Sequence, residues 1–311
     1  MAHELHLEVG RSLTPSDLHA IALLAERVAE IDGERPFSDR FARELMDPNP
    51  NGFLHVCVWD ADELVGYAIV DDAAKGAAAT AEIAVDERGR DARVGALLLD
   101  QAARETGEPV LLWAHGSDSA TARLAAGGGF TKVRGLWRMK RTLGKDVAAF
   151  TAPDGIKIRP FERHRDEADW LELNARSFVD LPDQGHLTRA DLDDLLEQDW
   201  VDLDGFLLAH EVDGSGREGR PVGFHWTKTH PAQGPRQPRI GEVYVLGVDP
   251  DAHGRGLGKA LTLAGLAHLW QQGIREVILY VEDTNQAAIA TYERLGFTRY
   301  DTDVLYRASS A

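Results

Sequence analysis

Residues His253 to Lys259 read His-Gly-Arg-Gly-Leu-Gly-Lys, and they join a strand-like run, Glu242 to Val248, to an amphipathic run, Leu257 to Leu269. A glycine-rich turn that feeds a helix start aims several free backbone N–H groups, and the positive end of the helix dipole, at one spot, which suits a pyrophosphate. Such a turn also serves simply to reverse a chain, so on the turn alone both readings stand. The flanking sequence adds a helix: Leu257, Ala260, Leu261, Ala264, Ala267 and Leu269 keep close to a 3.6-residue period, and Gly273 stands where a helix C-terminal glycine belongs. Val277 to Val281 is a short apolar β-rich run, Asn285 to Arg294 reads as a helix entered through Thr284-Asn285, and a final strand runs to about Arg307. The order is strand, glycine loop, helix, strand, helix, strand. A Rossmann dinucleotide site needs G-x-G-x-x-G after its first strand and an acidic residue about twenty positions on, and this chain has neither there.

The N-terminal half repeats the pattern. Ala81 to Val85 and Asp86 parallel Val245 to Val248 and Asp249, Val110 to Trp113 parallels Val277 to Tyr280, and Gly129-Phe130 parallels Gly296-Phe297. Aligned on the valines, Ala79 stands opposite Glu242; aligned on the phenylalanines, Ala125 stands opposite Tyr292 and Asp118 opposite Asn285. Arg93 takes the place of Gly256, so close backbone approach to a phosphate is not expected in this half, which reads as a structural or substrate-wall domain. A chain of 311 residues accommodates two such units. The expected domains are residues 1–143 and 156–311, with a polar linker at 144–155 that contains Pro153-Asp154-Gly155. Asp213 to Arg220 is a hairpin tip, and His230 to Arg239, with three prolines, an exposed loop.

A net charge of −17 argues against nucleic acid, whose binding needs a basic face, and is better suited to attracting an amine. The single cysteine, Cys57, lies in the apolar run Leu54 to Trp59 and reads as a buried thiol rather than a nucleophile. No apolar stretch is long enough to span a bilayer and no signal-peptide core is present, so a soluble cytoplasmic protein is expected, monomeric, with no membrane partner and no metal.

Glu242 lies on the segment entering the glycine loop. It is either a solvated strand-edge carboxylate or a general base, and strand alternation would set it on one face with Tyr244 and Leu246, opposite Val243 and Val245. The loop pattern together with Asn285-x-x-Ala288 and Tyr292-x-x-x-Gly296-Phe297 resembles the GNAT superfamily of acetyl-CoA-dependent N-acyltransferases, with His253 where Gln or Arg is usual. The resemblance implies an α+β fold of two tandem GNAT domains, each a central mixed sheet flanked by helices. It further implies that Tyr292 protonates the departing coenzyme A sulfur and that backbone N–H groups of Leu246 and Val248 hold the thioester carbonyl and pantetheine. The implied acetyl-CoA residues are Leu246, Gly247 and Val248; His253, Gly254, Arg255, Gly256, Leu257, Gly258 and Lys259; Tyr280; and Asn285, Gln286, Ala287, Ala288, Ile289 and Ala290. Asn285 has a second reading as a helix N-cap.

Gly223-Phe224-His225-Trp226-Thr227-Lys228, Gly241 to Pro250, and Asn174…Phe178…Pro182-Asp183-Gln184-Gly185 are similar to the mycothiol synthase family of tandem GNAT proteins, a likeness that spans the chain and is weaker in its N-terminal half. It implies acetylation of the cysteinyl amine of cysteinyl-glucosaminyl-inositol, with Asp39, Asp183, Lys228 and Glu242 holding the substrate. Asp39 and Asp183 stand where glutamate is expected, and Glu34 is a possible substitute for Asp39. Asp39 as a helix cap, Asp183 as a turn residue and Lys228 as a solvated strand end are the structural alternatives. The rival functions are acetylation of another small-molecule or peptide amine and a non-catalytic acetyl-CoA sensor.

Overall fold

The computed structural model describes residues 5–45, 53–72, 78–90, 93–127, 129–148, 151–179, 181–232 and 238–308. Its backbone divides into two units: Met1–Trp137 with Glu282–Thr284 and Asp301–Ala311, and Arg138–Val281 with Asn285–Tyr300.

The first unit opens with β1 (Leu5–Gly10) and α1 (Pro15–Asp32). Thr14 and Asp17 form a capping box, Pro15 sits in the first turn, and Gly33 ends the helix at φ 70. There follow α2 (Asp39–Glu44), β2 (Phe53–Asp60), β3 (Glu63–Asp71), β4 (Thr80–Val85), α3 (Arg93–Thr106), β5 (Leu111–Ala114), α4 (Ala120–Gly127) and the start of β6 (Phe130–Thr142), whose residues from Arg138 on belong to the second unit. β1 to β4 are antiparallel neighbours, whereas β4 and β5 run parallel. Ile21, Leu24 and Val28 of α1 cover one face, against Tyr67 and Ile69; Val94, Leu98 and Ala102 of α3 cover the other, against Val58 and Ile83. With both faces covered, β3 is apolar and buried from Leu64 to Val70 rather than alternating.

The second unit contains β7 (Ile156–Pro160), α5 (Glu167–Ser177), α6 (Pro182–Gly185), α7 (Arg189–Leu196), β8 (Phe206–Val212), β9 (Glu218–His230), β10 (Ile240–Val248), α8 (Leu257–Gln271), β11 (Glu276–Glu282), α9 (Gln286–Arg294) and the start of β12 (Thr298–Ala308). The strand order is β11-β10-β9-β8-β7, antiparallel except for β10 with β11. Trp170 and Leu173 of α5 and Leu192 of α7 lie over Phe206, Phe224 and Trp226. Phe206 stacks on Phe161 at 4.4 Å and on Trp226 at 4.1 Å, and Trp170 meets Trp226 edge-on. Each fully buried ring of this kind contributes about 2–3 kcal/mol by transfer from water. On the opposite face Leu257, Leu261 and Ala264 of α8 pack on Ala209 and Val222.

Three features differ from expectation. The chain end belongs to the first unit: Val304–Arg307 of β12 pair antiparallel with Leu111–Ala114 of β5, so the expected boundaries 1–143 and 156–311 do not coincide with the compact units. The stretch expected to be a polar linker buries Val147, in a short 3-10 turn that packs on α8. β9 extends through His230, which the prolines that follow had suggested was loop.

Candidate active site

β10 is held by β11 only at its start. The parallel register runs from Gly241↔Val277 to Val243↔Leu279 and stops. On its other edge the pairing with β9 steps from Val243↔Thr227 to Val245↔Trp226, which leaves Tyr244 as a bulge. A bulge inserts one residue and bends its strand, so β10 turns away from β11. Asp249 N–H donates to Val222 O at 3.0 Å on the β9 side. Successive N–H groups of a strand point to opposite edges, so those of Leu246 and Val248 face the edge that β11 has left. Gly247 is required by packing: a Cβ there would lie 2.3 Å from Cε1 of Phe224. The bulge also overturns the expected alternation. Tyr244 and Val245 both pack toward α5 and α7, whereas Leu246 turns to α8 and leaves the face of Glu242 and Tyr244.

The glycine loop follows. His253 Nε2–H donates to Val248 O at 3.1 Å, so this side chain ties the loop to the strand end, as Arg90 Nε–H does to Val85 O at 3.3 Å in the first unit. Gly254 and Gly256 both adopt φ 78, a left-handed conformation that strains any residue with a Cβ. Gly256 is the N-cap of α8, no side chain caps the helix, and a Cβ at Gly254, Gly256 or Gly258 would meet nothing within 4 Å. The first N–H groups of α8 therefore open onto free space, which fits an anionic pyrophosphate. Arg255 points to β8, where Nη1 donates to Glu211 Oε1 at 2.5 Å; Leu257 is buried and Lys259 exposed.

Glu242 is 7% exposed and stands across from Lys228 in the β9–β10 register. His230 Nε2–H donates to its Oε2 at 2.7 Å. Lys228 Nζ lies over the rings of Trp200 and Tyr244, at 5.5 and 5.6 Å, a cation–π arrangement that positions the ammonium. Tyr292 lies on the buried side of α9 with Ile289, is 7% exposed and meets Phe297 edge-on. Burial pushes its hydroxyl pKa up, so it remains a protonated donor across ordinary pH. Asn285 serves as the N-cap of α9, its side-chain oxygen accepting from Ala288 N–H at 3.1 Å; Gln286 and Ala287 are exposed, Ala288 and Ala290 half-buried. Tyr280, 41% exposed, follows the last residue of β11 that pairs with β10 and shares the face of Glu242, since Ile278 pairs with Glu242. Arg138 sits 5.9 Å from its ring centroid. Asp39 is the exposed first residue of α2, in the first unit, and the side chain of Asp183 lies outside the described ones. Sequence reading missed His230 and Trp200; the signal for His230 was its place two residues beyond Lys228, on the same face of one strand.

In the first unit, β4 pairs with β3 from Thr80↔Asp71 to Val85↔Gly66 with no bulge. By register Thr80, and not Ala79, therefore stands where Glu242 does, and Asp71 where Lys228 does. Ser119, rather than Asp118, caps α4, accepting from Ala122 N–H at 3.2 Å, and Ala122 and Ala125 take the buried places of Ile289 and Tyr292. A cavity of about 510 Å³ is lined by Ile83, Val85, Gly95, Leu124 and Phe130, with Arg90 and Arg123 among its polar groups and, among the described residues, no carboxylate. On the opposite face of β4, Glu82 Oε1 lies 2.9 Å from His115 Nε2, whose Nδ1 lies 3.3 Å from Asp303 on β12. Burial by itself would lower the His115 pKa, but Asp303 and Glu82 overcome it and raise it to about 10. Cys57 is buried, which pushes its thiol up to about 12 and makes it a poor nucleophile. Among the described residues no three His, Cys, Asp or Glu side chains are grouped to hold a metal, and no helix is long and apolar enough to cross a membrane.

The sequence profile of the acetyltransferase (GNAT) family matches residues 166–297, a span that contains Glu242, the glycine loop and Tyr292. A mycothiol acetyltransferase of Thermobispora bispora is 46% identical over 94% of this chain and 97% of its own, and one of Streptomyces avermitilis is 41% identical over 98% and 96%. The crystal structure of a GCN5-related N-acetyltransferase from Sphaerobacter thermophilus, 25% identical, superposes with a TM-score of 0.74 over 97% of this chain and 95% of that one. With a released strand edge, an uncapped helix start and a buried carboxylate in one unit, and relatives of this closeness along nearly its whole length, the chain belongs to the mycothiol acetyltransferase family of GNAT N-acetyltransferases.

Proposed function

We propose that the chain transfers the acetyl group of acetyl-CoA to the cysteinyl amine of cysteinyl-glucosaminyl-inositol, giving mycothiol and CoA, and that the second unit carries the chemistry. The observation that carries the reading is the buried carboxylate of Glu242 on the strand whose far end releases Leu246 and Val248 toward an uncapped, glycine-lined helix start. Acetyl-CoA supplies the electrophilic thioester, with its pyrophosphate at the loop from His253 to Lys259 and its pantetheine along Leu246 to Val248. Glu242 takes a proton from the substrate ammonium, directly or through one water, and the freed nitrogen lone pair forms the new C–N bond. The N–H groups of Leu246 and Val248 receive the carbonyl oxygen as it becomes an oxyanion. As the C–S bond breaks, Tyr292 gives its hydroxyl proton to the departing thiolate, and the nitrogen, cationic once the C–N bond has formed, releases its second proton to water, from which the Tyr292 hydroxyl is restored; the products are the amide, the CoA thiol and the one proton held by Glu242.

A cysteinyl amine whose carboxyl is already an amide is less basic than lysine, so an ordinary carboxylate suffices as base. Lys228, held over two aromatic rings, offers hydrogen bonds to the substrate's hydroxyls or carbonyl, and Asp39 and Asp183 are the further substrate ligands in this proposal. We infer a cytoplasmic monomer acting on a small molecule, with no nucleic acid or membrane partner, in keeping with its net charge of −17. The test is kcat/KM with acetyl-CoA for the cysteinyl sugar against free cysteine, glucosamine and a lysyl peptide. The expected preference for the cysteinyl sugar is at least about 100-fold; equal or faster turnover of another amine would refute the assignment of substrate.

A further inference from the structure

Resting on the acetyl transfer proposed above, we infer that His230 is a positioning residue for Glu242. β9 and β10 pair Ile240 with His230 and Glu242 with Lys228, which makes His230 and Glu242 diagonal neighbours on one face of an antiparallel pair, within reach of a long side chain. The contact is made: Nε2 lies 2.7 Å from Oε2, and Nε2 carries the hydrogen because the carboxylate can only accept. Lys228, directly opposite in register, is drawn to the rings of Trp200 and Tyr244. Among the described residues the hydrogen bond of the Glu242 carboxylate is therefore with His230, at Oε2, and Oε1 keeps its lone pairs for the substrate ammonium or for a water between them.

The consequence is geometric. Glu242 sits one residue before Val243, the last residue of β10 paired with β11, where the strand is about to bend at Tyr244. A glutamate there has three side-chain torsions, and a base must meet its proton within hydrogen-bond reach. His230 fixes the carboxylate from the neighbouring strand, on the side of β10 that stays paired, and so holds it in register while the other edge is free to receive the thioester.

The test compares His230→Ala, which removes the donor, with His230→Gln, whose side-chain amide nitrogen can reach the same oxygen. His230→Ala should lower kcat by about 10- to 100-fold, as expected for a misplaced base, with the acetyl-CoA Kd and Tm near those of the parent. His230→Gln should recover kcat to within a few-fold of the parent. In a Glu242→Gln background, His230→Ala should cost nothing further, because the group it positions is gone. A kcat for His230→Ala within twofold of the parent, a glutamine variant no better than alanine, or losses that add in the double variant would each overturn the inference. Turnover by the parent chain separates the two levels: no acetylation at all sinks the proposed function, whereas a normal parent, a slow Glu242→Gln and an unaffected His230→Ala sink only the role of His230.

Discussion

Gly256→Ala separates what the fold needs from what the ligand needs. The residue sits at φ 78, where an L side chain costs about 1–2 kcal/mol, yet the added methyl would meet nothing within 4 Å. The stability loss is therefore backbone strain alone, worth a fall in Tm of roughly 2–8 °C for a unit of this size. The methyl enters open space at the N-cap of α8, so if a pyrophosphate is held against this backbone, at least one charge-assisted hydrogen bond is lengthened or lost. Such a bond contributes about 1.5–3 kcal/mol, or roughly 10- to 150-fold in the acetyl-CoA Kd. Gly247→Ala is the control with the opposite signature. Its Cβ would lie 2.3 Å from the ring of Phe224, a buried side chain itself pinned 5.4 Å from Trp170, so overpacking should cost about 1–3 kcal/mol of stability from the protein's own atoms. Thermal melts and calorimetric titration with acetyl-CoA read both quantities. A Gly256→Ala protein that melts as expected but binds acetyl-CoA with unchanged Kd would refute the placing of the pyrophosphate on this loop.

Glu242→Gln should lower kcat by roughly 10²–10⁴ in steady-state assays while leaving acetyl-CoA affinity intact, and the deficit should narrow at high pH, where the amine needs no base. Lys228→Met and Asp39→Ala should each raise KM for the cysteinyl sugar about tenfold, with acetyl-CoA Kd unchanged; a change in acetyl-CoA Kd would mean that they hold the wrong ligand. The first unit has its own pH signature. His115 is held at about 10, above the ordinary histidine value of 6.5, so its stabilisation is complete below about 6.5 and is lost as pH rises toward 10. Tm should fall over that window in the parent, and this component should be absent in His115→Gln; parallel curves would show that the His115 contact with Asp303 and Glu82 carries no net charge interaction.

What could be read from the sequence was local. The α8 helix, its glycine start and its Gly273 end depend on periodicity and on backbone freedom within a few residues, and these lie where the pattern put them. The bulge at Tyr244 was not legible, because Glu242 to Val248 carries no proline and its glycine, Gly247, marks contact with Phe224 rather than the bulge; the extra residue exists only relative to its partner β9. The mismatch between Ala79 and Thr80 has the same origin, since the bulge shifts one half by a residue against the other. That the last strand pairs with β5 was equally hidden. Asp301 to Arg307 reads as any strand would, and the choice of partner rests on contacts such as Asp303 with His115, almost 190 residues apart in the chain, Asp303 Oδ1 also accepting from Gly116 N–H with a separation of 187. His230 was assigned to a loop because prolines follow it, whereas the β9 ladder carries it far enough to reach Glu242.

In the proposed reaction the second unit acetylates a cysteinyl nitrogen using Glu242 and Tyr292. This proposal is tested most directly by fragmentation mass spectrometry of the product made from acetyl-CoA and cysteinyl-glucosaminyl-inositol, by the parent chain and by a Glu242→Gln, Tyr292→Phe double variant that still binds acetyl-CoA. The parent should give one added acetyl group on the cysteinyl nitrogen, and the double variant should lose at least about 10³-fold in rate. An acetyl group elsewhere on the sugar, or a double variant that forms the same product at the parent's rate, would contradict the claim.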